Sequence, residues 1–282
     1  MTTYSDGHVS TIPPTVQPDQ TPERWNNHVS VYEAVFEPFS VAFARAAFEA
    51  IGIGADQRVL DVGAGCGGAA LDLAARGCRV TAIDASSAMI ARICERATEC
   101  DVGLDAFVMD GQALAFPSGS YDAAISIFGV VLFPDAVRGL AEMRRVVRPG
   151  GRVAIVTWTE PQHYELATTL RAAIQTVRPD APPSPLPAQL RFRERADFIA
   201  LFQAAGFEAS DISVRRETLV APSARWLGER IRFAPGMTAQ LEGLGRAADT
   251  AIEHFVLAAE AKWGSGPAEF GGNAFIGTAV VP

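Results

Sequence analysis

The 282-residue sequence holds only four cysteines and four histidines, and their placement excludes more than it offers. Cys66, Cys78, Cys94 and Cys100 include no C-x-x-C pair and stand near no histidine at metal-ligand spacing, so no metal site is expected. They read as small core or loop residues of a reducing compartment. No run approaches the roughly 18 apolar residues of a membrane span. The opening MTTYSDGHVSTIPP has neither a basic region nor an apolar stretch, which argues against a signal peptide and makes the cytoplasm the default. Positive charge is also short: 24 Lys and Arg against 32 Asp and Glu leave a net charge of -8. Without a basic stripe interleaved with aromatics, nucleic acid is not an expected partner. What remains, 49% hydrophobic and 20% charged, is the composition of a soluble protein with a large core.

Glycine is concentrated in one place. Arg58-Val59-Leu60 opens a short apolar run that reads as a buried strand, and Gly63, Gly65, Gly67 and Gly68 follow as a loop into the helical pattern of Ala69 to Arg76. Such a loop lets a ligand lie against bare backbone at a helix N-terminus, where amides point outward and a Cβ would collide. Spacing alone leaves the ligand open. Gly63, Gly65 and Gly68 satisfy the G-x-G-x-x-G of dinucleotide sites, while Gly63, Gly65 and Gly67 satisfy the G-x-G-x-G of methyltransferases. Asp61 favours the second, because a carboxylate at the strand tip repels pyrophosphate but attracts the sulfonium and ammonium of S-adenosylmethionine.

Residues 1–21 are polar, carry Pro13, Pro14 and Pro18, and read as a flexible tail. Residues 22–54 read as a helical lid. In it Trp25, Tyr32, Val35, Phe36 and Phe39 crowd together, Ser30 and Glu33 form a capping box, Pro38 ends one helix and Ser40 begins the next. These aromatics either fold over the site or pack the first helices, and Trp25 and Tyr32 are candidates for substrate contact. The second strand, Arg79 to Ile83, ends in Asp84, placed to accept hydrogen bonds from ribose hydroxyls or to cap the helix starting at Ala85. Met89 covers an adenine face or fills core. The third strand, Asp105 to Met109, ends in Asp110-Gly111-Gln112. There an acid suits the exocyclic amine of adenine and backbone amides suit the ring nitrogens; a plain Asp-Gly turn is the alternative. The fourth, Tyr121 to Ile127, runs into Phe128, with Ser126, Ile127 and Phe128 at a tip that faces the ligand crevice. Arg148 to Gly151 is a sharp turn before the fifth, Arg152 to Trp158. Five strand–helix repeats predict an α/β fold, an open Rossmann-like parallel sheet with helices on both faces.

Taken together, VLDVGAGCGG, the acid of VTAIDASSAMI, MDGQALAFPSGSYDAAIS and EMRRVVRPGGRVAIVTW resemble the class I S-adenosylmethionine-dependent methyltransferases. The closest branch in pattern is methyltransferase type 11, which includes ubiquinone and menaquinone biosynthesis enzymes. The resemblance covers about residues 55–160 and departs at Cys66, where many relatives carry threonine or serine. It implies cofactor contacts at Asp61, Gly63, Gly65, Asp84, Asp110, Gln112 and Ile127, with Ala64, Ala85, Met89, Gly111 and Phe128 beside them. It also implies S-adenosyl-L-homocysteine as product and a seven-stranded sheet whose last strand is antiparallel. Asp211 to Val220 and Asn273 to Val281 alternate like the last two strands of that fold.

Residues 161–282 read as the substrate-side half. Helices Tyr164 to Val177 and Glu194 to Ala205 flank the proline-rich RPDAPPSPLP, and Ala224 to Phe233 with Thr238 to Trp263 form a helical cap inserted over about 222–265. Leu241, Leu244, Ala248, Ile252, Phe255 and Ala259 make one apolar stripe, which suits an acceptor lining, a subunit contact of a homodimer, or plain core. Trp158 and Phe233 join Trp25 and Tyr32 as acceptor contacts. Methyl transfer is an in-line displacement that needs alignment and exclusion of water, and a base only where the acceptor must lose a proton. His163, just past the fifth strand, is the first candidate, followed by Glu160, His28 and His254. The acceptor reads as a small apolar metabolite attacked through O, N or C. The fourth strand lacks the Asn/Asp-Pro-Pro-Tyr/Phe tip of base-amine methylases, and no Pro-Cys pair marks a cytosine carbon methylase. Two other classes stay open. A nicotinamide-dependent oxidoreductase would seat pyrophosphate beside Asp61 and lacks a Tyr-x-x-x-Lys pair here; a non-catalytic cofactor-binding regulatory module would keep the loop without acceptor access.

Overall fold

The computed structural model describes residues 16–180 and 186–282, so most of the predicted tail and the middle of the proline-rich linker lie outside the described residues. Seven strands form one sheet in the order β3-β2-β1-β4-β5-β7-β6. They are β1 (Arg58–Val62), β2 (Arg79–Asp84), β3 (Leu104–Val108), β4 (Tyr121–Ile127), β5 (Val147–Trp158), β6 (Asp211–Ala221) and β7 (Ala268–Val280). The first five pair in parallel, and β7 runs antiparallel between β5 and β6.

The helices are α1 (Pro22–Trp25), α2 (Val29–Val35), α3 (Glu37–Ile51), α4 (Gly68–Ala75), α5 (Ser87–Glu99), α6 (Ala136–Val146), α7 (Glu165–Val177), α8 (Arg195–Ala204), α9 (Ala224–Glu229), α10 (Pro235–Glu242) and α11 (Ala248–Trp263). Strands buried on both sides feed two cores by simple alternation. Val59 and Ile125 face the layer of α3, α4, α5 and α7, while Leu60, Val62 and Ala124 face α6 and α8. Phe43 and Phe48 anchor the first core and Phe198 and Phe202 the second, each fully buried and each worth roughly 2–3 kcal/mol of transfer free energy. Strand order reverses between β1 and β4, which opens the ligand crevice at their carboxyl ends.

Several local expectations are corrected. Residues 16–21, read as tail, are tied down: Pro18–Gln20 is a 3-10 turn, Asp19 is buried, and Asp19 Oδ1 accepts from the Gly236 amide at 2.7 Å. A carboxylate that finds a backbone donor in the cap outweighs the polar composition of its neighbours. The Ser30–Glu33 capping box does not form. Helix α2 starts at Val29 without a side-chain cap, and Glu33 instead receives a bidentate hydrogen bond from Arg92 at 2.7 and 2.9 Å. Pro38 lies in the first turn of α3 rather than ending a helix, where its missing N–H costs nothing. The turn at Arg148–Gly151 is a bulge within β5, since the partners of Tyr121 and Ala123 jump from Val147 to Arg152. The long cap helix is two helices, broken where Gly245 takes a φ of 55°, and β7 starts five residues before Asn273, at Ala268.

Candidate active site

The loop after β1 is built by backbone that only glycine adopts freely. Gly63, Gly65 and Gly67 have φ of 73°, 55° and 84°, and a Cβ on Gly63 would lie 2.9 Å from the Gly129 Cα. The Gly63 and Ala64 amides donate to the Ile83 carbonyl at 2.9 and 3.0 Å, which pins the loop to the end of β2. The Gly65 amide donates to Asp84 Oδ2 at 2.9 Å, and the Ser86 amide donates to Asp84 Oδ1 at 2.8 Å. Asp84 therefore joins the β2 tip to the loop, and the helix cap is Ser86, whose Oγ accepts from the Met89 amide. Met89 is buried with its sulfur 3.3 Å from Cys66 Sγ.

Asp61 is 1% exposed, and its Oδ2 has no hydrogen-bond partner among the described residues. Burial first, then the nearby Asp84 and Glu37 charges, push its carboxyl from 3.8 to about 7. Asp84 rises from 3.8 to about 6, chiefly through burial. Sequence reasoning missed Glu37. Its Oε1 accepts from the Gly68 amide at 2.9 Å, and its Oε2 accepts from Arg96 Nη1 at 2.6 Å; burial raises it as well. An acid between Phe36 and Phe39 in an otherwise apolar face was the available signal, obscured by reading Pro38 as a helix end. Tyr32 from α2 closes the cluster: its ring comes within 3.3 Å of the position a Cβ on Gly65 would take. Tyr32, Glu37, Asp61, Gly63, Ala64 and Ile127 are among the residues around a cavity of about 10 Å³.

The next group is aromatic. Phe128, at the tip of β4, holds a φ of 60°, an uncommon conformation for a bulky residue and a frequent mark of functional sites. It stacks on Trp158 at 4.5 Å between centroids, and Trp158 stacks on Tyr164 at 4.3 Å. From the lid and the cap, Phe36 and Phe233 stack on each other at 5.6 Å, with Phe36 also against Phe128 and Trp158. Trp25 packs edge-on against Tyr32 and donates its Nε1 hydrogen to the Asp19 carbonyl. Tyr164 is buried with its hydroxyl unpartnered, whereas His163, the expected base, is 48% exposed with Nδ1 3.9 Å from Glu160 Oε2. Ser126 is spent on structure, its Oγ donating to the Val62 carbonyl and accepting from the Val130 amide. Asp110 is exposed at the outer edge, where its Oδ1 accepts from the Gln112 amide and Nε2, and Gln112 Oε1 accepts from the Asp135 amide. Gly111 is buried against Phe133. The chain thus brings Asp61, Gly63, Ala64, Gly65, Asp84, Tyr32 and Ile127 together, gathers Phe128, Trp158 and Phe233 beside them, and leaves Asp110, Gln112 and His163 at the rim.

A sheet of this order with one reversed strand, a glycine loop after β1 and an acid ending β2 is the class I methyltransferase fold. Residues 59–151 match the family described as methyltransferase domain. An uncharacterized protein of Mycobacterium tuberculosis is 36% identical over 138 residues, covering 49% of this chain and 50% of that protein. The demethylmenaquinone methyltransferase of Beutenbergia cavernae is 40% identical over 118 residues, covering 42% and 47%. The chain thus aligns with about half the length of these curated relatives. In structure it is similar to Haemonchus contortus phosphoethanolamine N-methyltransferase 2, solved with S-adenosyl-L-methionine, at a TM-score of 0.56 and 21% identity, over 91% of this chain and 57% of that one. It is also similar to the [4+2]-cyclase SpnF, at 0.54 and 19%, over 94% and 97%. At such identities the likeness concerns the fold, which hosts more than one chemistry. No helix among the described residues is long and apolar enough to cross a membrane.

Proposed function

We propose that this chain is an S-adenosylmethionine-dependent methyltransferase acting on a small apolar acceptor. The observation that carries this reading is the unpartnered Asp61 Oδ2 inside a buried carboxylate cluster at the glycine loop. A pyrophosphate beside three acids is strongly repelled, while a ligand bearing an ammonium and a sulfonium answers the same field. The methyltransferase-domain match over residues 59–151 supports it.

On this reading the Gly63, Ala64 and Gly65 backbone lies against the methionine end, Asp84 and Ala85 take the ribose, and Met89, Asp110, Gly111 and Gln112 surround the adenine. Ile127 and Phe128 flank the reacting carbon. The cofactor supplies an electrophilic methyl on a positively charged sulfur, so the protein's task is alignment and dryness rather than bond-breaking. Phe36 of the lid over residues 22–54 packs against Trp158 and links it to Phe233 of the cap over about 222–265 and, through Tyr32, to Trp25, an apolar group that excludes water and suits an apolar acceptor. His163 at the rim is the candidate base for an acceptor that must lose a proton. The partner is a small molecule, the compartment the cytoplasm, and the product S-adenosyl-L-homocysteine.

Isothermal titration with S-adenosylmethionine, S-adenosylhomocysteine and NADH tests the cofactor, and transfer of labelled methyl to a panel of small acceptors tests the reaction. Binding of NADH alone would overturn the reading in favour of an oxidoreductase. Binding of the first two without transfer to any acceptor would favour a non-catalytic module.

A further inference from the structure

We propose that Glu37, carried by lid helix α3, is the second carboxylate of the cofactor's cation site, and that with Asp61 it holds the ammonium group of the amino-acid end. This rests on the S-adenosylmethionine reading above. Two independent observations carry it. Asp61 is 1% exposed with Oδ2 unpartnered among the described residues, and a buried polar atom without a partner is unfavourable unless something answers it. The cavity of about 10 Å³ lined by both Asp61 and Glu37 is the size of one water, and a terminal ammonium is no larger.

The local charge balance agrees. Glu33, Glu37, Asp61 and Asp84 gather around the loop, and the guanidinium groups in contact with them are those of Arg92 and Arg96. A deficit of positive charge is left for a ligand to fill. Each Glu37 oxygen accepts one hydrogen bond, from the Gly68 amide and from Arg96, so each keeps a second lone pair for a third donor. Because Glu37 sits on the lid, the ligand's charge would fasten lid to loop.

The competing explanation is that Glu37 only caps α4 and latches the lid to α5. Two ligands separate these roles. S-adenosylhomocysteine carries the ammonium; 5′-methylthioadenosine keeps the adenosine and sulfur but lacks the whole amino-acid end. Both are titrated calorimetrically into the full-length wild type and Glu37→Gln. The proposal expects the variant to bind S-adenosylhomocysteine tenfold or more weakly while 5′-methylthioadenosine changes by less than twofold. Parallel weakening of both would reduce Glu37 to a cap and latch, and no change in either would remove it from the site; each overturns the proposal alone. A wild type that binds neither ligand overturns the cofactor reading and this proposal with it. If Glu37→Gln does not fold, Glu37→Asp, which withdraws the charge by one methylene, is held to the same expectation.

Discussion

Replacing Asp61 with asparagine should make the protein more stable and its site nearly useless. The side chain is buried, and its carboxyl lies at about 7 in the folded chain against 3.8 in the unfolded one. At about 1.4 kcal/mol for each tenfold change in proton affinity, holding Asp61 ionised at pH 8 costs the fold up to ~4 kcal/mol. Because the folded value is the higher one, the favourable contribution is complete below pH 4 and is lost as pH rises through 7. Asparagine keeps the shape and removes the charge. After allowance for its new amide donor and local relaxation, a gain of about 1–3 kcal/mol at pH 8 is expected, or roughly 2–10 °C in melting temperature for a chain of this size. At pH 5, where Asp61 is protonated in the folded chain but still mostly ionised in the unfolded one, the penalty falls to about 1.7 kcal/mol, and after the same allowance the gain should shrink to within about 1 kcal/mol of zero. S-adenosylmethionine affinity at pH 8 should fall by about 100-fold, since the variant lacks the anion that answers the ammonium. Thermal melts at both pH values and one titration check all three. A variant that melts lower than wild type at pH 8 would refute the account of Asp61 as a destabilising ligand group.

Other outcomes follow from the same geometry. Cofactor affinity should rise with pH between 5 and 8 as Asp84 (about 6) and Asp61 (about 7) ionise, and a flat calorimetric profile would contradict this. Gly129→Ala places a Cβ 2.8 Å from the Val62 carbonyl and 3.1 Å from the Gly63 Cα; it should cost about 1–3 kcal/mol by overpacking and loosen the loop, measured by denaturant melts and cofactor titration. Tyr164→Phe removes a hydroxyl that has no partner, so stability should stay level or rise by up to ~1 kcal/mol in the same melts. His163→Ala, at an exposed side chain, should move stability by less than about 0.5 kcal/mol; a fall of about 100-fold or more in methyl transfer would then report base chemistry, and unchanged transfer would remove His163 from it.

What was legible in the sequence is what short stretches decide. β4 was read at its observed ends, Tyr121–Ile127, because a short, mostly apolar run that follows the turn Pro117-Ser118-Gly119-Ser120 has one sensible reading. Asp61 and the glycines were legible because an acid and a turn in one peptide are a local event. Glu37 was not, since its partners Gly68 and Arg96 lie 31 and 59 residues away. That Ser86 rather than Asp84 caps α5 was not legible either, since the Asp84 carboxylate is engaged by a loop amide, that of Gly65, 19 residues away. The stripe from Leu241 to Ala259 kept helical spacing across a break at Gly243 and Gly245, because periodicity reports which side is buried and not whether the backbone is continuous. The docked Asp19 is the same lesson in a polar segment.

The Asp19–Gly236 and His28–Thr238 contacts join positions 217 and 210 residues apart. Loops of that length close late, after local contacts have already ordered the chain. On a ribosome the strands from β1 to β5 can assemble while the cap is still unmade. The lid can meet α4 and α5 early, through Glu37 and Glu33, but its contacts with the cap wait until residue 238 has emerged. Between the emergence of β5 and that of residue 238, then, the nascent protein can hold a formed glycine loop whose lid lacks its cap contacts, and the loop stays open on that side until the cap arrives.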